Sequence, residues 1–267
     1  MSFAVITRRV FLAFAVAAFG AGSGFATPAA ADAPTIAAAA DLRFALTEIA
    51  EAFEAETGRA VSLAFGSSGT LFRQIQEGAP FELYLSADEA FVLDLAEKGL
   101  AVDEGALYAV GRIVVVAPLG SPLAPDGRLE GLKAALADGR VTRFAIANPE
   151  HAPYGRRAEE ALRRAGLWEA LAGRLALGEN VAQAAQFATS GATEGGIIAY
   201  SLALAPDVAR LGTFALIPET SHAPLRQRMA LLRNHGETAA MFFAFMQEEP
   251  ARAIMRRYGF VLPGETM

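Results

Sequence analysis

Thr35-Ile36-Ala37-Ala38-Ala39-Ala40-Asp41-Leu42-Arg43-Phe44-Ala45-Leu46, continued to Gly58, is the stretch that decides how the chain folds. Its first six residues form an unbroken apolar run, short for a helix and bounded like a buried strand. From there Leu42, Leu46, Ile49 and Phe53 recur at helical spacing, and Gly58 closes the pattern as a C-terminal cap. A buried strand passing straight into an amphipathic helix is the repeating unit of an α/β fold with a mostly parallel sheet.

The same rhythm continues along the rest of the chain. Ala60 to Phe65, Phe81 to Ala87, Ile113 to Ala117, Phe144 to Ala147 and Gly196 to Tyr200 read as further buried strands. A short helix is predicted from Thr70 to Gly78, stopped by Pro80, and others over Gly155 to Ala165, Val181 to Ala188 and Glu237 to Arg257. The Pro-, Gly- and Ser-rich loop from Leu119 to Asp126 follows the strand at Ile113 and marks a crossing between two lobes near it. A second crossing is expected near Ile217-Pro218, which returns the C-terminal helices to the first lobe. The expected organisation is therefore a discontinuous lobe of residues 32–116 and 218–267 and a second lobe of residues 117–217. A chain of 267 residues is long enough for two cores.

Residues 1–31 have the three parts of an export signal. Arg8 and Arg9 give a charged start, an Ala- and Phe-rich run to Phe19 gives a short apolar core, and Ala29-Ala30-Ala31 gives a small-residue end with cleavage expected near Ala31. The Arg pair suggests the twin-arginine route. The glycines at 20, 22 and 24 interrupt the apolar run before it reaches the roughly 20 residues that span a bilayer. Without Arg8 and Arg9, 21 basic residues face 29 acidic ones, which argues against a nucleic-acid partner. There is no Cys, so neither disulfides, thiolate metal sites nor a thiol nucleophile are available.

In open α/β sheets ligands bind beyond the carboxyl ends of the strands, where loops enter helix N-termini and leave amides without partners. Four segments have that form: Ala40-Asp41, at the end of the first strand; Gly66-Ser67-Ser68-Gly69-Thr70; Asn148 through Tyr154 to Gly155; and Glu179-Asn180-Val181. An acidic protein can hold an anion on such amides, because the field they supply is local. Each residue also has an ordinary structural alternative. Ser67 and Ser68 are good N-caps with or without a ligand, Tyr154 suits a core edge, His151 suits a loop bonded to its own backbone, and Val181 suits core packing.

Taken together, Ala38-Ala39-Ala40-Asp41-Leu42, Gly66-Ser67-Ser68-Gly69-Thr70-Leu71, Gly78-Ala79-Pro80-Phe81-Glu82, Leu85-Ser86-Ala87-Asp88, Asn148-Pro149-Glu150-His151-Ala152-Pro153-Tyr154-Gly155 and Arg257-Tyr258-Gly259-Phe260 resemble, across nearly the whole exported chain, the periplasmic molybdate-binding proteins of ABC transporters. The resemblance implies a two-lobed type II periplasmic binding fold with a mixed, mostly parallel sheet in each lobe. The lobes would close on molybdate or tungstate, with no cofactor, and a monomeric carrier would deliver the oxyanion to membrane permease subunits from the periplasm. It implies ligand contacts at Asp41, Ser68, Tyr154 and Val181, with Ala40, Ser67 and Tyr200 as weaker candidates. Asp41 departs from the Ser that the family commonly places there, so its amide is expected to face the ligand while its side chain caps the helix. The late strand Gly196 to Tyr200 puts Ala199 where some members have a ligand Tyr, and the Tyr154 phenol is expected to replace that hydroxyl.

Other readings have less behind them. Sulfate or phosphate would suit the same fold, phosphate only if Asp41 could accept its proton. A serine hydrolase using Ser68 and His151 lacks the Gly-x-Ser-x-Gly elbow, because position 70 is Thr. A dinucleotide site lacks Gly-x-Gly-x-x-Gly at Gly191 to Gly196.

Overall fold

The computed structural model describes residues 33–265, so the export-signal expectation for residues 1–31 lies outside the described part. Ala33 onward forms one compact unit built on two five-stranded sheets.

The first sheet grows from β1 (Thr35–Ala39), which a single 3-10 turn over Ala40–Leu42 joins to α1 (Arg43–Thr57). Leu46, Ile49 and Phe53 of α1 are fully buried, and Gly58 ends the helix with φ +69°, the left-handed cap read from the sequence. β2 (Ser62–Gly66) leads into α2 (Ser68–Gln76), β3 (Phe81–Ser86) into α3 (Glu89–Glu97), and β4 (Ala106–Gly111) ends one residue before β5 (Ile113–Pro118). β5 belongs to the second sheet. After it come α4 (Glu130–Ala137), β6 (Phe144–Ala147), α5 (Pro153–Arg164), β7 (Leu175–Gly178), α6 (Val181–Thr189), β8 (Gly196–Ala199), the short helices α7 (Tyr200–Ala203) and α8 (Pro206–Ala209), and β9 (Gly212–Leu216). The chain then returns through β10 (Leu225–Leu231), α9 (Glu237–Phe245) and α10 (Glu249–Arg257), and α10 packs on α1.

The strand orders are β2-β1-β3-β10-β4 and β7-β6-β8-β5-β9. In the first, β1 is parallel to β2 and β3, while β10 is antiparallel to both β3 and β4. In the second, β6 is parallel to β7 and β8, while β5 is antiparallel to both β8 and β9. Each sheet is thus mixed but mostly parallel, with one reversed strand, and the two share one topology. The reversed strand is in each case the one that arrives from the other sheet.

That arrangement fixes where the sheets meet. β4 leaves the first sheet at its carboxyl end, and β5, running backwards, enters the second beside the carboxyl ends of β8 and β9. The return after β9 does the same, so both crossings tie the carboxyl edges of the two sheets together, and the helices that follow the strands begin at that junction. The change of sheet falls at Arg112, ahead of the 116/117 boundary expected from the sequence, because the whole of β5 pairs with β8 and β9.

Three helix expectations are corrected. The stretch Glu237 to Arg257 is two helices, because Pro250 in the first turn of α10 has no N–H to continue α9. The helices expected from Thr70 and Gly155 start two residues earlier, at Ser68 and Pro153, and this draws Ser68 and Tyr154 into first turns.

Candidate functional site

Ser67 is the N-cap of α2: its side chain accepts from the Thr70 amide at 3.3 Å, leaving Ser68 as the first helical residue. Ser68 is 1% exposed. Its hydroxyl oxygen accepts from the Ala87 amide at 3.0 Å, and its carbonyl accepts from the Tyr84 hydroxyl at 2.7 Å. With its oxygen held by Ala87, the Ser68 hydroxyl keeps its proton to donate. Asn180 caps α6 by accepting from the Ala182 and Gln183 amides, which leaves the amide of Val181, the first helical residue, outside the cap. Pro153 opens α5 and Tyr154 follows in its first turn. First-turn amides have no acceptor within their own helix.

The residues from the two sheets meet directly. The Gly69 amide donates to the His151 carbonyl at 3.0 Å, and Ser67 Oγ lies 2.8 Å from His151 Nδ1. A Cβ at Gly69 would sit 2.6 Å from that carbonyl, so the approach requires glycine. Arg156 reaches Asp88 at 3.5 Å, and the Ser201 hydroxyl donates to the Asp41 carbonyl at 2.8 Å. Ala39, Ala40 and Ala87 of the first sheet share one hydrophobic cluster with Tyr154 and Val181 of the second. Ala40, Asp41, Ser67, Ser68, Tyr154 and Val181 are all buried in this junction.

Asp41 does not play the part expected of it. No side chain caps either the 3-10 turn or α1. Instead Asp41 Oδ2 accepts from the Tyr154 hydroxyl at 2.9 Å and from Gln227 Nε2 at 2.8 Å, and Gln227 Nε2 is 3.0 Å from the Tyr154 oxygen. The Tyr154 phenol is thus engaged by Asp41 rather than standing free. Asp41 Oδ1 and Gln227 Oε1 are buried without a hydrogen-bond partner. Burial pushes the Asp41 carboxyl up to about 6; the Gln227 and Tyr154 donors pull it back, as do the nearby Asp41 and Leu42 amides, which close no hydrogen bond on Oδ1. Burial, and then the Asp41 charge, raise the Tyr154 and Tyr108 phenols well above their ordinary value.

Tyr200 is placed elsewhere. Its ring lies under the Arg112 guanidinium at 4.7 Å, meets Phe214 edge-on and fills the space over Gly259, while Arg112 donates to the Gly259 carbonyl. It packs the crossing between the sheets. His151 pairs with Ser67 and not with Ser68, the nucleophile that a hydrolase would need.

Gln227, Ser201 and Gly111 were not among the residues singled out from the sequence, and Ala87 was quoted only as a strand end and within a stretch carrying the resemblance. A Cβ at Gly111 would stand 2.3 Å from the Tyr154 hydroxyl and 2.6 Å from Gln227 Nε2. Gln227 had a signal: in Leu225-Arg226-Gln227-Arg228-Met229 it alternates with two apolar residues and so shares their buried face.

Residues 34–261 match the family model described as bacterial extracellular solute-binding protein. The chain belongs to that family. Among its solute-binding relatives, the molybdate-binding protein ModA of Rhodobacter capsulatus is 35% identical over 241 residues, 89% of this chain and 92% of the relative. ModA of Escherichia coli is 34% identical over 233 residues, 85% of this chain and 88% of the relative. Among solved structures, the periplasmic molybdate-binding protein of Azotobacter vinelandii superposes with a TM-score of 0.78 at 29% identity, covering 86% of this chain and 99% of that one. The family's two-sheet fold is therefore shared over the whole described body of this solute-binding protein.

Proposed function

We propose that this protein captures molybdate, and with it tungstate, in the periplasm and delivers the oxyanion to the permease subunits of an ABC transporter. The observation that carries the proposal is the convergence, on one junction between the two sheets, of the starts of α2, α5 and α6 and the 3-10 turn after β1. A fully deprotonated tetrahedral oxyanion such as molybdate offers only acceptors, and such a junction offers mainly donors. The contacts assigned are the Ser68 hydroxyl and amide and the amides of Asp41, Tyr154 and Val181, with Ala40 and Ser67 beside them; Tyr200 is left out because of where its ring lies.

Hydrogen bonds to a charged group contribute about 1.5 to 3 kcal/mol each. Five of them reach the roughly −8 kcal/mol of micromolar affinity once association costs are subtracted. In this proposal the two sheets move as lobes, residues 113–217 against the rest, and His151, Ser67 and Gly69 meet only on closure. No catalysis is assigned, since the Ser67 oxygen that His151 touches already caps α2. Export is proposed to use residues 1–31 with the twin-arginine pair, and the mature carrier is proposed to act as a monomer.

Calorimetric titration with molybdate, tungstate, sulfate and phosphate at neutral pH tests the proposal. Tight heats for the first two, with the others at least about a hundredfold weaker, are expected. Binding of sulfate or phosphate alone would overturn the ligand while leaving the fold in place.

A further inference from the structure

We infer that Asp41 is the specificity-determining, proton-holding contact of this site, so that the bound state carries one proton between the Asp41 carboxyl and the oxyanion. The inference rests on the oxyanion reading above and adds to it. A fully deprotonated dianion then binds together with a proton from solvent, whereas an oxyanion that carries its own proton binds without one.

The geometry sets an acceptor pole inside a junction of donors. Asp41 is 1% and Gln227 0% exposed, and both present an oxygen without a partner, Oδ1 and Oε1. Tyr154 and Gln227 spend their donors on the other carboxyl oxygen, Oδ2, and so fix the carboxyl in place. Gly111 keeps room for this arrangement, since a side chain there would displace both donors.

None of the ion pairs among the described residues reaches Asp41. Arg43, next along α1, lies over the Phe65 ring, and Arg112 at the crossing bonds the Gly259 carbonyl. On α5, Arg156 turns to Asp88 and Arg157 to Glu160; on β10, Arg226 and Arg228 both turn to Glu89. β4 contributes the Tyr108 phenol, α7 contributes Tyr200 and Ser201, and α6 has no ionisable side chain. The carboxylate is therefore stabilised by dipoles only. An oxyanion brought against it is a like charge, and two anions in contact titrate as one unit that keeps a shared proton. Burial has already brought the Asp41 carboxyl up to about 6, and the like charge of the oxyanion in contact raises it much further, so that the shared proton is held through neutral pH. Molybdate and sulfate would each need the proton, while monohydrogen phosphate brings one that Oδ1 or Gln227 Oε1 can accept.

Titration of the wild-type protein with molybdate in two buffers of different ionisation enthalpy tests this without any variant. Uptake of about one proton per molybdate is expected near pH 7.5, and affinity should weaken by about tenfold per pH unit from about pH 7 to 8.5. Asp41→Asn should remove both dependences. Molybdate binding with equal corrected heats in both buffers and a flat affinity would overturn the inference alone. No molybdate heat at any pH would overturn the molybdate reading itself and the inference with it.

Discussion

Asp41 is a carboxylate in a place that water does not reach, and its energetics follow from that. In the unfolded chain it titrates near the usual 3.8, in the folded one at about 6. Between those values the folded state holds a proton that the unfolded state has released, so this group's contribution to stability falls as pH rises from about 4 to 6. The full effect is about 3 kcal/mol, at about 1.4 kcal/mol for each pH unit between the two values. Asp41→Asn should therefore gain about that much on wild type between pH 4 and pH 7 in urea denaturation. Taking the difference cancels Glu89 and Glu194, whose carboxyls are held low despite partial burial by arginine and amide donors and which act in the opposite sense. A difference that stays constant with pH would refute the buried-carboxylate account. Tyr154→Phe removes one of the two donors on Oδ2 and should cost about 1.5 to 3 kcal/mol at pH 7. The loss should shrink at pH 4, where the carboxyl is neutral, and melting curves at the two pH values compare them. Asp41 and Tyr154 could both be named from the sequence because they sit at strand-to-helix turns. Their mutual bond could not, because 113 residues separate them and no local pattern encodes a partner at that range.

At the scale of elements, legibility tracked burial on both faces. Of the strands read in advance, those at Thr35, Phe81, Ile113, Phe144 and Gly196 are central and mostly apolar, while the one at Ala60, β2, lies at a sheet edge and was legible from its apolar run alone. β4, β7 and β9 lie at sheet edges and are partly solvated, and their glycine- and alanine-diluted runs gave too little pattern. β10 is central but was hidden by Arg226 and Arg228, which point away from the core toward Glu89. The helix starts at Val181 and Glu237 were read where they fall, but those at Thr70 and Gly155 were read two residues late, because the apolar stripe begins inside the helix while the cap lies before it. That small error matters here, since the ligand contacts proposed are first-turn amides. Val181 offers a direct test of the amide's role. Proline is well suited to the first helical position, and Asn180 before it is already extended at φ −151° and ψ 174°, as a residue preceding proline must be. Val181→Pro should thus leave α6 and the melting temperature nearly unchanged while deleting one donor. A loss of about tenfold or more in molybdate affinity is expected from the missing bond to a charged ligand, and unchanged calorimetric affinity would remove Val181 from the site.

The whole molecule is two copies of one sheet topology joined at their carboxyl edges, and the connection that makes this possible is the exchange of β5 and β10 between them. Because both crossings lie at that edge, a hinge there would let the sheets part without breaking either core, and the contacts that close it are few and can be named. Gly69 is the most exposed to a test. It lies in the first turn of α2 with an ordinary helical backbone, so alanine there should favour the helix by roughly 0.5 to 1 kcal/mol. Yet the added Cβ would lie 2.6 Å from the His151 carbonyl, a contact that the closed junction cannot absorb. The two effects have opposite signs in different states: the first acts whether or not the junction is closed, the second only on the closed one. Gly69→Ala should therefore melt no lower than wild type in the absence of oxyanion but bind molybdate at least about tenfold more weakly, because part of the binding energy goes into reopening the clash. It should also show a smaller rise in melting temperature on adding molybdate, where wild type at a hundredfold excess over Kd gains about 2.7 kcal/mol, or roughly 5 to 10 °C for a chain of this size. If the variant keeps wild-type affinity, the His151 contact is not part of the closed state that holds the ligand, and the lobes must meet in some other way.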